Sequence, residues 1–427
     1  MRYLSTIISV LFLVATTIPI LCSCSSPGTS VSSSSLEIQG PAPTSLRCLH
    51  KTNLNFGGSG SDFGYYTMNE AVLPDGSSNI LYSDFKTHQS AFLCSQANCT
   101  HDSDACTSWV PYSGGGAVPL VLNDNLLLAY FGNPDYVDKI GSLAIPHFEI
   151  MELNGSNRNT LGELEANQLI REPFITDDIY LYFSVTTYGK DGTENTFVRL
   201  NPSDGSISQI CAFEDEGEYV LGAVDQSIIT IQYLENATAA LCKHDIITSD
   251  VEQLQKWELG QRRFALFDNE FVYIQMQDRE VHVFDLQTQK DRLIAAHVLE
   301  QIDLMDIWIG ESSDNHILIC GNVRDEKGAV AKVSAVAINQ ADSNSNENWS
   351  LIYPYYDSEL PMTIAAKVPD QNAYFILANE SNTEQSITAY QEGVPYYFPS
   401  LQRTFATISI EDYWNGINNI EVFSRLD

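Results

Sequence analysis

A short unit repeated along the chain, a second turn inside each copy, and brief apolar runs of strand chemistry predict an all-β fold, a β-propeller of seven four-stranded blades, with six or eight as the alternative counts. An Asp followed two or three residues later by an apolar or aromatic run occurs at Asp124, Asp177, Asp225, Asp268, Asp314 and Asp370, at intervals of 43 to 56 residues. Four short strands in roughly 40 to 50 residues make one propeller blade. In the first five copies a second apolar stretch ends at Asn154, Asn201, Asp245, Asp285 or Asn339. Asx side chains accept a hydrogen bond from the backbone two residues on, which starts a tight turn. The runs between the turns are short and rich in Tyr, Ile, Val and Phe, which suits strands and not helical repeats.

A further unit precedes these six. Ile80 to Thr87 followed by Phe92-Leu93 has the form of Val283 to Thr288 followed by Leu293-Ile294. This first unit looks incomplete at its start, and the last runs long, into Phe405 to Ile410 and Ile420 to Phe423. The C-terminal strands are therefore expected to complete the first blade and close the ring, which leaves no free sheet edge. A pair of antiparallel sandwiches is the competing architecture, but sandwiches have no reason to repeat an Asp-apolar turn at blade spacing.

Ahead of the repeats, Arg2 precedes an apolar run from Ile7 to Leu21, the pattern of a secretory signal. A membrane span needs about 20 largely apolar residues, and this run stops short at Leu21-Cys22-Ser23-Cys24. That tetrapeptide resembles a bacterial lipobox, which implies cleavage after residue 23 and lipid on Cys24. Cys22 lacks the small residue just before it, and an ordinary cleaved signal is the alternative. The Ser-rich stretch that follows has almost nothing to bury and reads as a tether; about 20 such residues span roughly 25 Å. The expected organisation is signal peptide over 1–23, tether over 24–46 and propeller over 47–427. The expected address is the extracytoplasmic face of the cell membrane, held by lipid chains that each contribute about 0.8 kcal/mol per buried methylene.

Composition narrows the function classes. Hydrophobic residues make up 44% of the chain and aromatics 11%, enough for a large core. With 55 acidic against 22 basic residues the formal charge is -33, which repels phosphate backbones and excludes nucleic acid as a partner.

The sharpest local signal runs from Cys94 to Cys106, where Cys94, Cys99, His101 and Cys106 fall within one short connector after the first unit. Three thiolates and an imidazole suit a closed tetrahedral zinc site, which would fold a loop with little to bury. The spacing is not that of the common zinc fingers. In an exported protein two of the cysteines could instead form a disulfide, leaving the third free or paired with Cys48. The segment Leu93-Cys94, Asn98-Cys99-Thr100-His101 and Cys106, behind a lipobox and an opening blade, resembles a family of predicted surface lipoproteins of Gram-positive gut anaerobes. The resemblance implies a lipid address and a propeller fold, and it carries no activity. Cys211, Cys242 and Cys320 sit in or beside apolar runs and read as core residues.

No phosphate-binding loop, Gly-x-Ser-x-Gly elbow or His-Glu-x-x-His helix is present, and no catalytic residue is assigned. Gly57 to Gly60 and Gly114 to Gly116 read as loops. The repeating Asp residues are explained by turns, and His147, His244, His282, His297 and His316 are scattered as surface or satisfied core histidines. The irregular segments Gly132 to Pro146, Gly189 to Asn195 and Asp342 to Asn348 are where a rigid ring would present binding groups. Aromatic pairs near Trp109 to Tyr112 and Tyr353 to Tyr356 could stack on a sugar or a peptide. The expectation is a monomeric, lipid-anchored binding or scaffolding module for a protein, peptide or glycan; the alternative is a propeller enzyme acting on carbohydrate. A central funnel lined by converging carboxylates and an Arg would mark the enzyme, and a smooth or apolar funnel the binder.

Overall fold

The computed structural model describes residues 45–50, 57–190, 192–213, 217–355, 358–391 and 394–426. The signal sequence, Cys24 and most of the tether lie outside the described residues. Seven small antiparallel sheets form a seven-bladed β-propeller. The blades span 58–92, 117–163, 168–212, 218–258, 262–295, 307–349 and 363–422, each with four strands in sequence order. One extra hairpin, Ile352–Tyr355 with Ser358–Pro361, sits between the last two blades in the chain.

Stacked blades explain why the second strand of a blade is apolar along its whole length. In Asn125–Tyr130 the three residues Leu126, Leu127 and Leu128 are all fully buried. Successive strand side chains point to opposite faces. Leu126 and Leu128 accordingly join Tyr66 and Ile80 of blade 1, while Leu127 and Ala129 join Phe174 and Phe183 of blade 3. One strand thus feeds two cores, and each buried Leu contributes about 1.5 to 3 kcal/mol. The outermost strands face solvent on one side and read differently: Val251–Glu258 is polar and mostly exposed.

The repeated turns have distinct causes. At the second turn of each unit, Asn154, Asn201, Asp245, Asp285 and Asn339 accept backbone N–H bonds from residues two positions on, at 2.8 to 3.1 Å. The repeating Asp of the first turn works in another way. Asp225, Asp268 and Asp314, in two-residue hairpins, and Asp370, in a four-residue loop, adopt positive φ of 46° to 61°, a conformation Asp tolerates better than most residues. Asp177 differs, accepting from the amides of Ile179 and Tyr180 while Asp178 takes the positive φ.

Two expectations change. Gly58–Gly60 is the inner strand of blade 1, so the first unit is complete, and this glycine stretch is not a loop. A Cβ on Gly58 would lie 2.5 Å from the Tyr66 carbonyl oxygen, so only glycine lets the strands approach. At the other end, Phe405 to Ser409 and Ile420–Val422 belong to blade 7 itself. The C-terminal Ser424–Leu426 then pairs in parallel with Gln89–Ala91, the outer strand of blade 1. Closure therefore adds a fifth strand to blade 1 and does not supply a missing one.

Candidate metal centre and ligand face

The Cys/His connector begins where the outer strand of blade 1 ends and returns to pair Trp109–Val110 with Ser78 and Asn79. Positive φ at Asn98 and His101 folds it back on itself. Buried Asn79 fixes the fold, donating to the His101 carbonyl and to Ser108 Oγ, both at 3.0 Å, while Thr107 Oγ1 donates to the Leu93 carbonyl at 2.7 Å. The result is that the ligand atoms of Cys94, Cys99, His101 and Cys106 all lie within 4.8 Å of one another. A tetrahedron of about 2.3 Å zinc–sulfur bonds has edges of about 3.8 Å, so the residues fit a zinc ion. His101 presents Nδ1, 3.2 Å from Cys106 Sγ, and Ser108 Oγ lies 3.0 Å from the same sulfur as an outer support.

The seven described cysteines are free thiols. Cys48, the alternative partner, sits opposite Ile175 on the inner edge of blade 3. Burial alone works to raise the Cys94 thiol, but the Gln96 amide and contacts from Cys106, Cys99 and Thr107 outweigh it and hold the group below its ordinary value. Burial pushes Cys106 up to about 11. Cys211 and Cys242, up to about 12 and 11 by burial, and fully buried Cys320 are core thiols.

The central axis is not an open funnel. Residues 46–50 thread it: Leu46 N–H donates to the Asp225 carbonyl, Arg47 and Cys48 pair with Thr176 and Ile175, and Ser59 Oγ donates to the Leu49 carbonyl. Inner strands of blades 1, 3 and 4 thus all grip this segment. What space remains, about 640 Å³, has a mixed lining of apolar residues with Asp62, Asp124, Asp268, Arg47 and Lys367, so it is not the smooth or apolar funnel expected of a binder and on that test leans toward the enzyme. Arg47 is committed to Asp178 at 2.5 Å and Lys367 to Asp314 at 2.7 Å.

A larger cavity, about 850 Å³, opens on the face carrying the blade-to-blade connectors. Its walls include Phe131 and, from the 132–146 segment that follows it, Asp135, with Arg171 and Glu172 from the start of blade 3, Tyr188 at the end of a strand, and His50. Pairing of Gln168–Thr176 with its neighbour shifts register between Arg171 and Ile175. Such an irregularity re-aims side chains, which accounts for two consecutive residues lining one cavity. His50 Nε2 lies 3.1 Å from Glu172 Oε1, and the side chain is almost wholly buried. Of the segments 132–146, 189–195 and 342–348 expected to carry binding groups, only the first lines this cavity, and His50, Arg171 and Glu172, which have no local signature, were not expected. The other expected aromatics do not gather here. Trp109 donates to Ser77 Oγ, and buried Tyr353 bonds Glu380.

The scattered histidines each find structural partners: His147 stacks on Tyr130, His316 on Trp414 and His282 on Tyr273, His244 bonds Glu218, and exposed His297 lies 3.1 Å from Glu300.

No protein-family model and no curated protein matches the sequence. Solved structures do share the fold. A puromycin hydrolase mutant aligns with a TM-score of 0.50 and 9% identity over 84% of this chain and 53% of its own. Oligogalacturonate lyase in complex with manganese gives 0.43 and 10% over 87% and 92%, and the Pyrococcus horikoshii acylaminoacyl peptidase 0.44 and 9% over 78% and 50%. This chain spans about half the length of the hydrolase and the peptidase. Likeness at this identity is one of architecture alone.

Proposed function

We propose that this protein is an extracytoplasmic binding module, anchored by lipid on Cys24, that receives its ligand on the connector face. The observation that carries this reading is the occupied axis. Because Leu46 to His50 occupy part of the channel, the cavity of about 850 Å³ among the connectors, lined in part by side chains of rigid strands, is the one we assign to the ligand. A photo-crosslinking group placed at Tyr188 of the full chain should capture a partner from envelope extract, whereas the same group at exposed Leu293 on an outer strand should not. Capture from Leu293 alone would sink the reading. Metabolic labelling with a radioactive fatty acid, abolished in Cys24→Ala, tests the address.

The second proposal concerns the connector itself. Zinc bound by Cys94, Cys99, His101 and Cys106 would staple the loop that leads from blade 1 to blade 2. The four converging ligand atoms favour this reading over a disulfide. The carbohydrate enzyme is the alternative to a binder, favoured by Glu172 and Asp135 sharing a cavity with Arg171. Release of reducing sugar from polysaccharides would identify it.

A further inference from the structure

We infer that the connector-face cavity binds a neutral oligosaccharide, a reading that rests on the binding-module proposal above and names its ligand class. The first argument is charge. Arg171 and Glu172 are consecutive and line the same wall, with Asp135 on another. One guanidinium against two carboxylates leaves the lining slightly negative, which turns away an anionic ligand, while Arg171 beside Glu172 turns away a cationic one. Beyond the cavity, the formal charge of -33 repels acidic polymers.

The second argument is the mix of donors and acceptors. Arg171 and Asn133 donate; Glu172 and Asp135 accept. His50, buried behind this wall with Nε2 3.1 Å from Glu172 Oε1, holds the Glu172 carboxylate in place. A polyhydroxylated ring offers a donor and an acceptor at every hydroxyl, which matches this lining; an apolar ligand would leave it unsatisfied.

The third argument is the aromatic rim. Tyr188 is 43% exposed, with its phenol 3.5 Å from the Arg171 guanidinium, and Phe131 lies across the cavity wall. An exposed phenol braced by a cation presents a flat, amphipathic face of the kind that stacks on sugar rings. Glycines Gly57, Gly115 and Gly132 form part of the wall. A Cβ on Gly115 would lie 2.0 Å from the Gly132 carbonyl oxygen, so the two backbones close on each other only because that side chain is missing.

Calorimetric titration of the full chain with cellotetraose, mannotetraose, N-acetylchitotetraose, tetragalacturonate and a tetra-alanine peptide tests this. At least one neutral tetrasaccharide should bind saturably. Tyr188→Ala should weaken that binding at least tenfold and Glu172→Gln at least fivefold; both side chains are more than a third exposed, so the fold should survive both changes. Preference for tetragalacturonate or for the peptide, neutral binding indifferent to both variants, or no neutral binding would each overturn the inference. If crosslinking from Tyr188 still captures an envelope partner in those cases, the binding-module reading stands and only the glycan falls.

Discussion

Arg403, on the third strand of the last blade, ion-pairs with Glu70, which follows the second strand of the first blade, 333 residues away in the chain. Its Nε also bonds Glu380 on the neighbouring strand at 2.8 Å. The contact with Glu70 ties the end of the ring to its beginning, alongside the pairing of Ser424–Leu426 on the outer strand of blade 1.

Removing that guanidinium leaves Glu380, only 4% exposed, without its counter-ion. Arg403→Met should therefore cost about 3 to 5 kcal/mol, the usual penalty for breaking one side of a buried pair. Guanidinium denaturation of the variant measures it. Replacing Glu380 by Leu in the same chain should recover part of the loss, because no orphaned charge then remains; a double variant as weak as the single would contradict this account.

One zinc per chain should be found by elemental analysis of protein purified without chelator, and Cys99→Ser should reduce it below a tenth. Asn79→Ala removes no proposed ligand side chain, yet it frees the His101 carbonyl and Ser108. It should weaken zinc about 10- to 100-fold in competition with a chromophoric chelator, the range for a lost outer support. A disulfide among these cysteines in mass spectra of the native protein would refute the zinc site.

Glu218 sets an acid limit on blade 4. Burial would raise its carboxyl, but bonds with His244 at 2.7 Å and Thr230 at 2.6 Å outweigh that and hold it below the ordinary 4.5. A depressed folded value means the unfolded chain binds the proton more readily, so the stabilisation is present above pH 4.5 and disappears as pH falls through the folded value. Glu218→Gln should cost about 1.5 to 3 kcal/mol at pH 7, shrinking toward zero near pH 3. Denaturation curves at both pH values test the sign: a cost that persists unchanged in acid would mean the carboxylate charge is irrelevant.

The repeated turn Asp makes a backbone prediction. Asp268 holds φ at 46°, where a β-branched residue is strained by about 1 to 2 kcal/mol. Asp268→Val should lose roughly that much stability, and Asp268→Gly should lose little or gain slightly. Equal losses in both would show that the carboxylate matters and the backbone conformation does not.

Much of this architecture was legible in the order of residues because it is made of local events. A blade is four strands joined by short turns, so Asp225 or Asp285 announces its turn within a few positions, and the interval between copies gives the count. The Cys94 to Cys106 segment was visible for the same reason, since its four ligands share one connector. The fully buried second strands were readable too, as runs such as Leu126 to Leu128 without polar alternation.

Other features depend on groups that the chain brings together only once the ring closes. Gly58–Gly60 has no strand-like composition; it is a strand because it pairs with Gly64–Met68, and at Gly58 the neighbouring tyrosines leave no room for a Cβ. Leu46 reads as the end of the tether and Arg47 to His50 as the start of the propeller with no strand signal, yet three blades bond to this segment on the axis. His50, Arg171 and Tyr188 converge from different strands, and Glu70 meets Arg403 across the closure. The repeat, its turns and the Cys/His cluster could be read from the order of residues, since each is written in near neighbours. Tertiary structure alone decided which cavity stays open, what fills the axis and how the ends are tied, because those outcomes follow from packing between residues the chain holds far apart.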